Sequence, residues 1–195
     1  MSLTVTEAIT SRRATRVYAD TPVTDAVLDR VVAHALEAPS AFNLQLRDLV
    51  VVRDQSIKDQ LAKDSGQQQF AAAPVVLVAV ARVEALPEDI DDIMPVERQT
   101  YIATYKEKRN ASQLREDAMK DAMLMAGFAL IAAQGEGLAT GPATGWDEQK
   151  VKEALGLGDR DDRAIALVIP MGYPGETPAH PGRQANRRIN DRYDA

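Results

Sequence analysis

The sequence predicts an α+β or α/β layered domain. Three apolar runs of strand length carry that prediction: "LVVVR" from Leu49, "APVVLVAVARV" from Ala73 and "AIALVIPMGYP" from Ala164. The second and third are almost continuously apolar, the pattern of strands buried on both faces. Four or five helical patterns surround them. Neither G-x-G-x-x-G nor G-x-x-x-x-G-K-S/T occurs, so no dinucleotide fingerprint and no phosphate loop is present. A length of 195 residues and the lack of a linker or repeat favour one domain over 1–195.

Each element has its own local reason. "TVTEAITSRR" reads as a short helix, capped by Thr4 or Thr6, with Val5, Ala8 and Ile9 on one face. "ATRVYADTPV" is extended and turns at Thr21-Pro22. "TDAVLDRVVAHALEA" is amphipathic: Thr24 is the N-cap, Asp25 suits the first turn, and Val27, Leu28, Val31, Ala35 and Leu36 form the apolar stripe. Pro39 breaks it in "APSAFNLQ". "SIKDQLAKDS" is a short helix with Ser56 as cap. "EALPEDIDDIMP" reads as a solvated acidic loop, because Glu88, Asp89, Asp91 and Asp92 lack the glycine-containing pattern of a calcium loop.

From Val96 onward two helices are expected, parted near Asn110. The second passes from charged to almost wholly apolar and is rich in alanine, glycine and methionine. A helix apolar on most faces is buried on most faces; a subunit interface and a central core helix both account for it. "GLATGPATG" is a loop, "WDEQKVKEALGL" a helix, and the tail "HPGRQANRRINDRYD" is basic and polar.

Composition removes several function classes. The net charge is -6, from 29 acidic and 23 basic residues, which argues against nucleic acid as a partner. The most apolar segment, 122–133, falls short of the roughly 20 residues a membrane span needs, so no membrane partner is expected. With no cysteine, disulfides, Cys-ligated zinc, iron–sulfur clusters and a thiol nucleophile are excluded. His34 and His180 are too few and too isolated for a metal site. "MSLTVTEAIT" lacks the pattern of a secretory signal, which leads to a cytoplasmic expectation.

Against this acidic background, "SRRATRVY" sets Arg12, Arg13 and Arg16 within five positions. Arginine forks bind phosphate in bidentate pairs. The tail carries a second cluster: Arg183, Arg187, Arg188 and Arg192. Chain ends often lie close together, so the two clusters can converge on one anion; two solvated surface clusters explain the same spacing. In "APSAFNLQ", Ser40, Asn43 and Gln45 offer donors and acceptors that suit the edge of a heteroaromatic ring. Turn chemistry is the alternative.

Together these stretches resemble the FMN-dependent nitroreductase family. Ser11, Arg12, Arg13, Arg16 and Tyr18 match its S-R-R-S-x-R-x-F/Y opening, and Ala38, Pro39, Ser40, Asn43 and Gln45 its A-P-S-x-x-N-x-Q-P-W stretch. Gly66, Gln67, Ala73 and Pro74 fall on a G-Q…A-P-V stretch. Gly145, Asp147, Leu155, Gly156, Gly172, Tyr173 and Pro174 fall on the late helix entry and closing strand. The resemblance covers nearly the whole chain, with the four motifs in order.

The resemblance implies an α+β fold with a central, mostly antiparallel sheet flanked by helices, in a homodimer with FMN at the subunit interface. It implies an NAD(P)H oxidoreductase reducing nitroaromatic, quinone or similar electrophilic acceptors, with no catalytic acid–base side chain. Arg12, Arg13 and Arg16 become phosphate-side residues, joined by Arg183 or Arg187. Pro39, Ser40, Ala41, Asn43 and Gln45 belong to a loop that covers the partner's flavin. Gln67 meets the ring's polar edge, and the Thr144–Gly145 backbone lies by flavin N5. The chain departs from the pattern in four places: Ala14 replaces a phosphate-binding serine, Leu46-Arg47 replaces Pro-Trp, Thr144 replaces an acidic residue, and Trp146 replaces phenylalanine. A lid or insertion over 84–110 is expected to shape the acceptor pocket. A narrow enal or aldehyde reductase, a flavin storage or sensor protein, and an anion-binding dimer without flavin are the rival readings.

Overall fold

The computed structural model describes residues 3–192. Its centre is a four-stranded sheet in the order β1-β2-β4-β3, with β1 at Arg47–Val52, β2 at Val75–Arg82, β3 at Ala139–Thr140 and β4 at Arg163–Gly172. All three pairings are antiparallel. The three apolar runs are β1, β2 and β4. β3 lies inside the expected "GLATGPATG" loop, because two residues are too few to show a period. Eight α-helices are described: α1 (Val5–Ser11), α2 (Asp25–Leu36), α3 (Gln55–Ser65), α4 (Gln69–Ala72), α5 (Ile90–Ile93), α6 (Val96–Lys106), α7 (Ala111–Gly135) and α8 (Glu148–Ala154).

Strand β2 shows why the sheet is the middle layer of three. Val75, Leu77, Ala79 and Ala81 face a core shared with α2 and α7. Val76, Val78 and Val80 face a second core with Leu61, Phe70 and Val151 of α3, α4 and α8. Alternating side chains point to opposite faces, so an unbroken valine run is what a strand covered on both sides requires. β4 is buried along its whole length for the same reason.

The caps follow the sequence with one shift, at α3, and Thr24 stands at the N-cap of α2 without a side-chain cap hydrogen bond. Thr4 forms a capping box with Glu7, and Asn110 forms one with Gln113 at the start of α7, which parts α6 from α7 as expected. Helix α3 is capped by Asp54 rather than Ser56: the Asp54 carboxylate accepts from the Ser56 and Ile57 amides, and the Ser56 hydroxyl donates to it as well. A carboxylate at a helix N-terminus also meets the favourable end of the dipole. The acidic "loop" contains the short helix α5.

Two apolar faces stay uncovered. On α1 only Ala8 is buried, while Val5 is 71% and Ile9 56% exposed. Helix α7 buries Ala118, Ala122, Met125, Ala126, Ala129 and Ala133 but leaves Met123, Leu124 and Phe128 in the open. It is therefore not buried on most faces within one chain. A cavity of about 500 Å³ lies between these helices and is lined by Val5, Ile9, Phe128 and Ile131 among others.

Candidate functional site

Several of the candidate residues gather where β2 begins and β4 ends. The segment after α1 runs beside β3, with the Thr15 amide donating to the Thr140 carbonyl at 3.0 Å and Tyr18 bridging to Pro174. The Glu176 carboxylate accepts from the amides of Arg16 (2.8 Å) and Val17 (3.2 Å), which fixes the backbone from which Arg16 projects. Gly141 permits the close approach of this segment: a Cβ there would stand 2.3 Å from the Thr15 carbonyl oxygen.

A cleft of about 270 Å³ results, lined by Ala14, Arg16, Gln67, Gln69 and the 141–145 backbone. Helix α3 ends at a left-handed Gly66 and turns the chain into Gln67. The Gln67 side-chain amide donates to the Gly145 carbonyl at 2.6 Å, and its oxygen accepts from the Gln69 amide at 2.8 Å. Thr144 and Gly145 are exposed on the rim. A Cβ on Gly145 would meet only the Gln67 side chain, at 3.6 Å. The chain's own packing therefore does not demand glycine there.

Arg12 stands two residues before this cleft. One of its guanidinium nitrogens is buried without a hydrogen-bond partner among the described residues. Burial, then the charges of Arg183 and Arg13, push its pKa down. Buried donors without partners are uncommon, and like charges repel. A phosphate would satisfy the donor and neutralise the cluster. Arg13 bends back onto the Thr10 and Arg12 carbonyls. The structure thus splits the sequence cluster: Arg16 lines the cleft beside Gln67, while Arg12 and Arg13 sit with Arg183. Arg187 is exposed in the tail.

The 39–45 loop is elsewhere. It leads into β1 at Arg47, which pairs with Ala81 at the far end of β2, and Arg82 pairs with Arg163 at the start of β4. At about 3.3 Å per residue, the length of β2 puts this end of the sheet roughly 25 Å from the cleft. Pro39, Ala41, Asn43 and Gln45 are exposed and Ser40 partly so. Within one chain, the loop and the cleft do not meet. The loop also holds an unusual backbone, with Phe42, Asn43 and Gln45 at φ of 57°, 60° and 52°. The left-handed region is disfavoured for residues other than glycine, least so for asparagine.

Glu176, Gln69 and Gly141 were not singled out from sequence. Gly141 carries a weak signal, a glycine in a loop between a helix and a strand. Glu176 carries none, because its partners are about 160 residues away. Among the described residues, no group of three or more His, Cys, Asp or Glu could hold a metal ion. No helix among them is long and apolar enough to cross a membrane.

The model of the nitroreductase family matches residues 9–173. The chain is 32% identical over 190 residues to an NADH dehydrogenase of Thermus thermophilus, covering 89% of each chain. It is 28% identical to an FMN reductase (NAD(P)H) of Bacillus subtilis, over 95% of this chain and 72% of the relative. The solved structure of a nitroreductase family protein from Streptococcus pneumoniae superposes with a TM-score of 0.85 at 24% identity, covering 97% of this chain and all of that one, which shows a shared fold.

Proposed function

Because this chain belongs to the nitroreductase family, we propose that it is an FMN-dependent NAD(P)H oxidoreductase whose flavin lies in the Arg16–Gln67–Gly145 cleft. The observation that carries the reading is the buried, unpartnered guanidinium nitrogen of Arg12 with Arg13 and Arg183 beside it. An acidic chain that sets Arg13 and Arg183 beside an unpartnered donor of Arg12, two residues before the Ala14 that lines a cleft with polar amide edges, fits a flavin mononucleotide.

In this reading Arg12, Arg13 and Arg183 hold the phosphate, with Arg187 as the alternative tail residue. Arg16 and Gln67 face the polar edge of the ring, where a fixed cation favours negative charge. Gln69 holds the Gln67 amide in one orientation. The Thr144–Gly145 backbone would line the ring's reactive edge. A flavin held there would supply two-electron hydride chemistry between NADH or NADPH and a second substrate. The protein binds, orients and tunes the charge around it. No acid–base side chain in the cleft is required.

The separation of the 39–45 loop from the cleft supports a homodimer in which each loop covers the partner's flavin. The uncovered Val5, Ile9 and Phe128 support the same arrangement, since such apolar patches mark interaction surfaces. A nitroarene, a quinone or another electrophile is the proposed acceptor, entering after the nicotinamide leaves. Segment 84–110, with α5 and α6, is proposed to shape that pocket.

The visible spectrum of the purified protein, before and after anaerobic NADH or NADPH, tests the reading. A yellow protein that bleaches supports it. A yellow protein that stays oxidised supports the storage or sensor reading instead. A colourless protein that gains no flavin spectrum on adding FMN overturns the cofactor assignment.

A further inference from the structure

The 39–45 loop keeps three non-glycine residues in left-handed conformations, and something must hold them there. Part of the answer is internal: Asn43 and Leu44 amides donate to the Ser40 and Ala41 carbonyls, and the Gln45 amide donates to the Ser40 hydroxyl at 3.0 Å. The rest comes from two buried charges. Asp121, on α7 and only 4% exposed, accepts from the Ala41 amide at 3.3 Å. Arg47, 6% exposed, donates to the carbonyls of Leu36 (2.9 Å), Ala38 and Pro39 (3.3 Å). Those carbonyls close the end of α2, so Arg47 ties the loop's exit back to its entry. Arg47 occupies the second position of the Leu46-Arg47 departure from the family pattern.

We propose that Asp121 and Arg47 are positioning residues that clamp the 39–45 loop in the shape that presents Asn43 and Gln45 to the flavin. The proposal rests on the flavin reading above. Burial raises the Asp121 carboxyl and lowers the Arg47 guanidinium, with each charge partly offsetting the other's shift. Phe42, seated edge-on against Tyr105 of α6 at 5.5 Å between ring centres, extends the clamp to the segment proposed to shape the acceptor pocket.

The test uses the full chain, with Asp121→Ala as the main variant and Asp121→Asn as the milder one, which keeps the volume and one acceptor. Amide hydrogen exchange over 39–46 is compared with exchange in β2 and β4. FMN and riboflavin affinities are measured by flavin fluorescence quenching. In Asp121→Ala, loop amides are expected to exchange about tenfold faster while the strands hold their rates, since the opening is local. Both flavins are expected to bind about fivefold more weakly, with their ratio unchanged because the phosphate grip is untouched; Asp121→Asn gives a smaller change in the same direction. Three outcomes overturn the clamp and leave the flavin reading standing: unchanged loop exchange, equal acceleration in the strands, or a loosened loop with unaltered flavin affinity. If the unaltered chain quenches no flavin fluorescence, the flavin reading itself falls and takes the proposal with it.

Discussion

The Gln67 side chain donates a 2.6 Å hydrogen bond to the Gly145 carbonyl. That bond joins the turn before β2 to the loop after β3 and closes one wall of the cleft. The Gln69 amide holds the other side of the same group. In Gln67→Ala, both walls lose their tie and the ring edge loses a polar partner. A net hydrogen bond is worth about 0.5–1.5 kcal/mol, so FMN affinity is expected to fall roughly 2–10-fold. Fluorescence quenching measures it, and an unchanged affinity would remove Gln67 from the ring edge.

Arg12 makes the sharper prediction. Loss of a charge-assisted bond costs about 1.5–3 kcal/mol, so Arg12→Ala is expected to weaken FMN binding roughly 10–150-fold. Riboflavin, which lacks the phosphate, is expected to lose little. Equal losses for the two flavins would place Arg12 away from the phosphate.

Ala14 stands where the family pattern has serine, and it lines the cleft. Ala14→Ser restores a hydroxyl. A gain in FMN affinity of about 2–10-fold is expected from one added hydrogen bond. Titration of both proteins side by side decides it.

Gly141 is required by packing rather than by chemistry. An alanine Cβ would press against the Thr15 carbonyl, and forced overpacking costs about 1–3 kcal/mol. Gly141→Ala is expected to lower Tm by roughly 2–4 °C for each kcal/mol lost. Because the shift moves the backbone of Ala14 and Arg16, flavin affinity falls with it. Thermal unfolding followed by circular dichroism measures the first effect.

Asp162 supplies a pH dependence. A hydrogen bond from Arg160, and then the charges of Arg163 and Arg160, outweigh burial and hold its pKa down at about 2. A depressed carboxylate adds stability above its unfolded pKa of about 3.9, and that stability is lost as pH falls toward 2. The side chain is 36% exposed, so the amount is that of a surface pair, about 0.2–1 kcal/mol. Asp162→Asn is expected to lower stability at pH 7 and to leave it nearly unchanged at pH 2, read from urea midpoints.

The sequence by itself determined the layers of this protein and the residue types of its site. Valine runs, helical stripes and capping boxes are written in neighbouring residues, so β1, β2, β4, α2 and α7 were legible. The arginines of "SRRATRVY" and the order of four motifs pointed to a phosphate-bearing flavin. Only the tertiary structure decided which of these residues meet. It put Arg16 with Gln67 and Arg12 with Arg183, and it carried the 39–45 loop to the opposite end of the sheet. It also showed Glu176 holding Arg16, Thr15 pressed on Gly141, and Asp121 reaching the Ala41 amide. Each of these joins residues far apart in the chain. Propensity and periodicity reach only a few positions, whereas antiparallel register decides which distant residues stand side by side. The exposed face of α1 and α7 follows the same logic: apolar spacing shows that a stripe exists, and only the packed chain shows that it is left uncovered.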